Sequence, residues 1–281
     1  MHSRQGTAGF TLVELIVVIV LLGIVGTFSF SYLGFGAKIF TDAVGRDQLM
    51  SQSRFAVERL SRELRNALPR SVRVDSNATG SCIELVPIIS SGSYVQLPKP
   101  GGSSANPFVA VTPIAEPGKM MVGSYLYVYA SNTAMVYNSN SPRRKVIDTI
   151  TSHSSNSELS EFSFLGNPKH FPKSSPARRF FITEQPVSWC VTPAGELRRF
   201  SNYGFNNNQP SLNQLISLAG PSEVMAKQLN NNLADASQAP FIAVASTLQR
   251  SSLVLLDLRF GRANDTEPLR IQHEVFVPNV P

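Results

Sequence analysis

Residues 9–30 read GFTLVELIVVIVLLGIVGTFSF, and the reading of this stretch decides the organisation of the whole chain. Of the 21 residues from Phe10 to Phe30, 15 are Phe, Leu, Ile or Val; Glu14 is the only charge among them, and the next charged residue is Lys38. A helix rises about 1.5 Å per residue, so the run reaches about 30 Å, the thickness of a bilayer's hydrocarbon core. Backbone amides in lipid are satisfied within a helix, and the run therefore predicts one membrane-spanning helix over 10–30. The competing reading, a cleaved secretory signal, needs an apolar region of about 7–15 residues and a small-x-small site behind it. This run is longer, and no such site is clear after it.

In front of the run stands MHSRQGTAG, nine polar or small residues with one fixed cation, Arg4. A single cation is a weak positive-inside signal. The string Gly9-Phe10-Thr11-Leu12-Val13-Glu14, placed between a short hydrophilic leader and a long apolar helix, resembles the processing signature of type IV pilins and pseudopilins. The resemblance implies that residues 1–9 are a leader, removed between Gly9 and Phe10 by a prepilin peptidase, and that the new amine of Phe10 is methylated. It implies an inner-membrane protein with a cytoplasmic N-terminus and a periplasmic head, later carried into a fibre at the cell surface. Its partners would be other major and minor pilins, met through the N-terminal helix, the inner-membrane assembly platform and the lipid bilayer.

Two residues of the string also have a reading in physical terms. A residue without a side chain before the scissile bond lets a peptidase approach the backbone closely, and Gly9 meets that need. A carboxylate inside a membrane costs on the order of 2.5–3.5 kcal/mol and is usually kept for function. Glu14 lies one turn past Phe10, just inside the interface, where it either snorkels to the headgroups or is protonated. The resemblance implies a third role: Glu14 of one subunit pairs with the Phe10 amine of its neighbour and sets the axial register.

No proline occurs between Phe10 and Pro69, so the helix is expected to continue over 31–68. Leu49, Ser53, Val57, Leu60, Leu64 and Leu68 recur at steps of three and four and form a narrow apolar stripe. Arg54, Glu58 and Arg62, with Arg59 and Glu63, supply i, i+4 pairs on the other side. Major pilins usually carry a helix-breaking proline in the apolar half. This chain has only Gly23, Gly26, Gly34 and Gly36 there, which points away from a major subunit.

From Ser71 the period shifts toward two. Strands are expected over 71–74, 82–89, 124–130, 145–150, 159–165, 180–183, 187–192 and 196–200, with Pro193-Ala194-Gly195 as a hairpin turn. Alternation in Val254, Leu256, Leu258, Phe260 and in Leu269, Ile271, His273, Val275, Val277 predicts a C-terminal hairpin. Segments 90–107, 151–158 and 201–211 read as loops, and 222–234, with Met225, Leu229 and Leu233 on one side, as a short helix. The expected fold class is α+β and type IV pilin-like: a long N-terminal helix packed on an antiparallel β head over 69–281.

Composition restricts the function. Charged residues make up 16% and hydrophobic ones 42% of the 281 residues, which argues against a coiled coil or a disordered tail, and a mean hydropathy near zero argues against a multi-span membrane protein. Two cysteines exclude a cysteine-built zinc site. Cys82 and Cys190 both follow the membrane segment; exported together, they are expected to form a disulfide, the alternative being two buried thiols. Catalytic signatures such as G-x-S-x-G, H-E-x-x-H and the P-loop are absent, and neither a metal site nor a cofactor is expected. His153 and His170 fall in loops, His273 on the apolar face of the last strand, and Asn264-Asp265-Thr266-Glu267 lacks EF-hand spacing. The basic clusters Arg143–Lys145, Arg178–Arg179 and Arg198–Arg199 would suit nucleic-acid phosphates or anionic glycans, or serve as charges that block edge pairing.

Three passages, SQSRFAVERLSRELRNALPRSVRV, PVSWCVTPAGELRRFSNYGF and HEVFVPNVP, resemble minor pilins of the mannose-sensitive haemagglutinin type of pilus. The function expected from that resemblance is non-enzymatic: pilus assembly, initiation and surface attachment at or near the fibre tip. A J-type minor pseudopilin of type II secretion shares the helix and the head. A membrane-anchored periplasmic glycan-binding module or enzyme is the alternative of another class, and it would call for a pocket converging on His153 and His170.

Overall fold

The computed structural model describes residues 9–101, 107–167, 169–218, 220–244, 252–261 and 268–277. Residues 1–8 of the leader, with His2 and Arg4, the run Asn264–Glu267 and the terminal Asn279-Val280-Pro281 lie outside the described residues. Two compact units divide the chain, Met1–Met50 and Ser51–Pro281. A long apolar helix followed by an antiparallel β head gives the α+β class expected.

Helix α1 (Leu12–Arg65) runs without a break through Gly23, Gly26, Gly34 and Gly36. From Leu12 to Val44 its large apolar side chains are all exposed: Leu12 is 74%, Leu22 65%, Phe28 73% and Phe30 78% exposed. It is the one helix among the described residues long and apolar enough to cross a membrane. In the second unit the expected stripe is real, with Ser53, Val57, Leu60, Leu64 and Leu68 buried. The helix ends three residues before Leu68, where the backbone turns into a sheet-like exchange: Leu68 N donates to Val86 O and Ile88 N to Asn66 O.

The head contains β1 (Arg73–Asn77), β2 (Gly80–Leu85), β3 (Ile88–Gln96), β4 (Phe108–Val111), β5 (Tyr125–Tyr127), α2 (Thr133–Tyr137), β6 (Arg144–His153), β7 (Asn156–Phe164), β8 (Arg179–Thr183), β9 (Val187–Val191), β10 (Leu197–Phe200), α3 (Leu212–Ser217), β11 (Ser222–Ala226), β12 (Phe241–Val244), β13 (Ser252–Phe260) and β14 (Leu269–Val277). Strands in the order β1-β2-β9-β10-β11 form one sheet, β12-β13-β14 a second, and β3-β4-β7-β6-β5-β8 close into a barrel. The barrel is filled by Tyr94, Phe108, Phe162, Phe164, Phe171 and Phe180, and Phe108 meets the other rings at 5.4–5.9 Å between centroids. Such edge-to-face and tilted contacts are the arrangement that aromatic quadrupoles prefer.

Several expectations are corrected. The strand expected over 82–89 is two strands, because Pro87 has no N–H for a ladder and the chain leaves the sheet there to enter the barrel. Segment 90–107 is not wholly loop: Ser91, Gly92 and Ser93 pair with β8, and a Cβ at Gly92 would come within 3.0 Å of the Phe180 ring. Segment 151–158 is the polar end of the β6–β7 hairpin, whose strands extend to His153 and from Asn156. The helix expected over 222–234 is replaced by β11, since the free edge of β10 offers a ladder that outweighs a weak helical period. The helix of that region is α3, opened by a Ser211/Gln214 capping box. Strands β4 and β12 were not expected; each has only four residues.

Both expected hairpins form. β9 pairs with β10 around Gly195, whose φ of +73 and 2.6 Å clearance from Leu229 O at an added Cβ leave room only for glycine. β13 pairs with β14 from Ser252↔Val277 to Phe260↔Leu269.

Candidate functional site

The expected processing and register residues sit at the start of α1. Gly9 and Phe10 precede the helix and are exposed, Phe10 at 75%. Thr11 caps it: its Oγ1 accepts from Glu14 N at 3.3 Å and its carbonyl from Leu15 N at 3.2 Å. Thr11-Leu12-Val13-Glu14 thus has the S/T-x-x-E spacing of a capping box, with Glu14 in the first turn, where a negative charge suits the helix dipole. The cap is made by Thr11, and Glu14 contributes its backbone N–H and a first-turn charge.

In the head, sheet alternation sorts side chains onto two faces. Ile83, Trp189 and Arg199 share one, since β2 and β9 pair Ile83↔Trp189, and β9 and β10 pair Trp189↔Arg199. Glu63, in the part of α1 belonging to the second unit, is held there. Trp189 Nε1 donates to its Oε2 at 2.8 Å, and Arg199 Nε donates to Oε1 at 3.0 Å and Oε2 at 3.2 Å. Arg59 approaches the same carboxylate at 3.4 Å. The i, i+4 pair expected between Arg59 and Glu63 exists, but the sheet supplies the stronger partners. Nothing in the helical pattern marked Glu63 as turned inward.

The other face carries Glu84, Ser188 and the disulfide. Cys82 and Cys190 stand directly opposite each other on β2 and β9, with Cα atoms 4.1 Å apart, and are bonded. Both are buried against Phe200, Leu212 and Leu215, so α3 covers the bridge. Glu84 is fully buried, paired with Arg73, and its Oε1 accepts from Tyr203 Oη at 2.9 Å. Burial raises its carboxyl pKa, and Arg73 and the Tyr203 hydroxyl work against that rise. Arg73 also donates to the carbonyls of Asn206 and Asn207 and lies 3.6 Å over the Tyr137 ring. Arg144, from β6, stacks at 3.8 Å on Phe205 and donates to Val136 O and Ser139 O. The irregular segment 201–211 is thereby pinned to the sheet by Arg73 and to the barrel by Arg144. Burial pushes the hydroxyls of Tyr127, Tyr137 and Tyr203 well up, so all three stay neutral donors.

Two open cavities border this framework. One of about 510 Å³ is lined by Ser139, Asn206, Asn207, Asn208, Gln214 and Leu218 among others, and one of about 370 Å³ by Lys119, Tyr125, Glu184, Arg199 and Asn202 among others. His153 and His170 are not brought together. His153 ends β6 and faces Glu161 at 3.6 Å, while His170 lies in the β7–β8 connection at the opposite end of the barrel. His273 is half-buried on β14. Among the described residues no group of three or more His, Cys, Asp or Glu is placed to hold a metal ion.

The basic clusters separate. Arg143 is buried and donates to Lys173 O, Lys145 is buried near the Phe171 ring, and burial lowers both pKa values. Arg198 bonds Glu196 at 2.8 Å and Arg199 bonds Glu63. Arg178 and Arg179 alone remain exposed.

Residues 4–30 match the family model of the prokaryotic N-terminal methylation motif. No curated protein and no solved structure matches the chain. The motif supports a type IV pilin or pseudopilin, a structural class whose members are processed by prepilin peptidase, and with the apolar helix it suits inner-membrane anchoring.

Proposed function

We propose that the chain is a minor pilin of a type IV pilus of the mannose-sensitive haemagglutinin type, incorporated at or near the fibre tip and acting in assembly, initiation and surface attachment. Residues 1–9 are removed between Gly9 and Phe10, and the Phe10 amine is methylated. Residues 10–30 hold the chain in the inner membrane until fibre entry, with the N-terminus cytoplasmic and the head, 69–281, in the periplasm. The observation that carries this reading is the string Gly9–Glu14 opening an apolar helix within the matched motif.

The driving force for entry into the fibre is burial of that exposed apolar surface among the helices of neighbouring subunits, which replace the lipid. In so dry a setting an unpaired carboxylate is costly, so pairing Glu14 with the Phe10 amine of the next copy favours one register. The large head, over 69–281, and the absence of a proline in the apolar half support a place outside the repeating shaft.

Mass spectrometry of the mature chain tests the processing: a methylated Phe10 is expected at the N-terminus, and Met1 there overturns the reading. Sheared pili test the location. Absence of the chain from the filament fraction, with filaments still made in a deletion strain, overturns it. Glu14→Ala is expected to insert normally and to impair assembly.

A further inference from the structure

The barrel is charged at one end in a way the rest of the head is not. β3 begins beside the end of α1, where Ile88 N donates to Asn66 O at 2.9 Å, and it ends at Gln96, about 26 Å further along the strand. The antiparallel pairings send two connections to that far end, the one after β3, described over 97–101 and 107, and the one between β7 and β8, described over 165–167 and 169–178. A third, 128–143 between β5 and β6, leaves from the same end and folds back to the end of α1, where Thr133 Oγ1 donates to Arg70 O and Tyr137 Oη to Ser71 O. None of the three contains Asp or Glu. Lys99, Lys169, Lys173 and Arg178 lie in them, Arg179 opens β8, and all five are exposed.

Contacts hold the connections together. Phe171 N donates to Pro98 O at 2.8 Å, Arg143 Nη1 to Lys173 O at 3.3 Å, and Tyr94 N to Arg178 O at 2.8 Å. None of the five exposed cations enters an ion pair among the described residues. Glu161, three residues before the end of β7, faces His153 instead. The opposite end carries Glu116 and Glu158, and its Lys119 is bonded to Glu184 at 2.7 Å. The five cations account for all but one unit of the net charge of +6.

Aromatic faces are withheld from this surface. Tyr94, Phe108 and Phe171 are buried in the barrel, and Tyr129 is half-buried with the Arg143 guanidinium 5.9 Å from its ring. Bases and sugar rings are held chiefly by stacking on such faces, so this end recognises charge alone. A surface of that kind favours the polyanion of highest linear charge density. Duplex DNA, with one charge per about 1.7 Å of axis, exceeds any polymer with one carboxylate per sugar.

We propose that this end of the barrel binds the phosphodiester backbone of duplex nucleic acid without reading its sequence. The proposal rests on the head and is independent of how the N-terminus is processed.

The test is fluorescence anisotropy of a short mixed-sequence DNA duplex with the full chain in neutral-detergent micelles, titrated with NaCl. Four or five phosphate contacts predict a slope of log K against log salt of about −4. Lys169→Gln, Lys173→Gln and Arg178→Gln together should reduce that slope by about 2.7, and Arg178→Gln alone by about 0.9. Arg198→Gln, at a residue bonded to Glu196, should leave it unchanged. No binding by the native chain, or a slope unaltered in Arg178→Gln, overturns the proposal. Displacement of the DNA by polygalacturonate or by phosphatidylglycerol vesicles at equal charge concentration overturns the choice of DNA.

Discussion

Trp189 Nε1 donates a 2.8 Å hydrogen bond to Glu63 Oε2, across 126 residues of sequence, and this bond holds the end of α1 on the sheet. Trp189 is the only tryptophan of the chain and is fully buried, so its emission reports on the contact directly. Glu63→Ala leaves both Trp189 Nε1 and Arg199 without the carboxylate they share. A loss of about 1.5–3 kcal/mol is expected in denaturant titrations followed by tryptophan emission. Glu63→Gln, which keeps an acceptor for Trp189, should lose less; equal losses would show that the Trp189 bond contributes nothing.

The pair Glu84 and Arg73 predicts a strongly non-additive response. Glu84 is fully buried and the Arg73 side chain is 13% exposed. Arg73→Met strands a buried carboxylate and should cost about 3–5 kcal/mol, whereas the double change Arg73→Met with Glu84→Leu should recover much of that loss. Additive losses in a double-mutant cycle would contradict this account.

The same carboxylate and Asp257 give opposite pH dependences. Burial raises the Glu84 pKa above its ordinary 4.5, so its contribution to stability is full below that value and is lost as pH rises through the raised one. Arg270, bonded to Asp257 at 2.8 Å through two nitrogens, lowers the Asp257 pKa below 3.8. That contribution is present above 3.8 and is lost as pH falls through the lowered value. Thermal unfolding across the acid range should therefore show Glu84→Gln flattening the decline above 4.5 and Asp257→Asn flattening the loss below 3.8.

The disulfide closes a separation of 108 residues. In the chain-entropy model such a loop stabilises by about 4–5 kcal/mol, and Cys82→Ala with Cys190→Ala should lower the unfolding midpoint accordingly. Cys82 is 1% and Cys190 0% exposed, so reductant should open the bridge in denaturant and not in native buffer. Rapid reduction of the native chain, measured by thiol labelling, would contradict the burial.

The methylation motif over residues 4–30 was legible in the sequence because its signals are local. Gly9, Phe10 and Glu14 are neighbours in the chain, and the cap that Thr11 Oγ1 makes on Glu14 N needs only the Thr11-x-x-Glu14 spacing. The head was legible strand by strand wherever alternation ran for several residues, as in β13 and β14. It failed at 222–234, where Met225, Leu229 and Leu233 imitate a helical period while β10 offers an edge. It failed also at 90–93, where serines and a glycine lie in a strand because Phe180 fills the space beside Gly92.

By itself the sequence determined the membrane-length helix, its processing motif, the charge excess and the α+β order, since each follows from residues within a few turns or strands of one another. Tertiary structure alone decided that β3 to β8 close into a barrel, that Arg143 and Lys145 are buried while Arg178 and Arg179 stay exposed, and that Glu63 and Glu84 face inward. Those outcomes depend on which strands pair across long separations, and a residue's partners across a sheet are set by register, which its own neighbours in the chain do not specify.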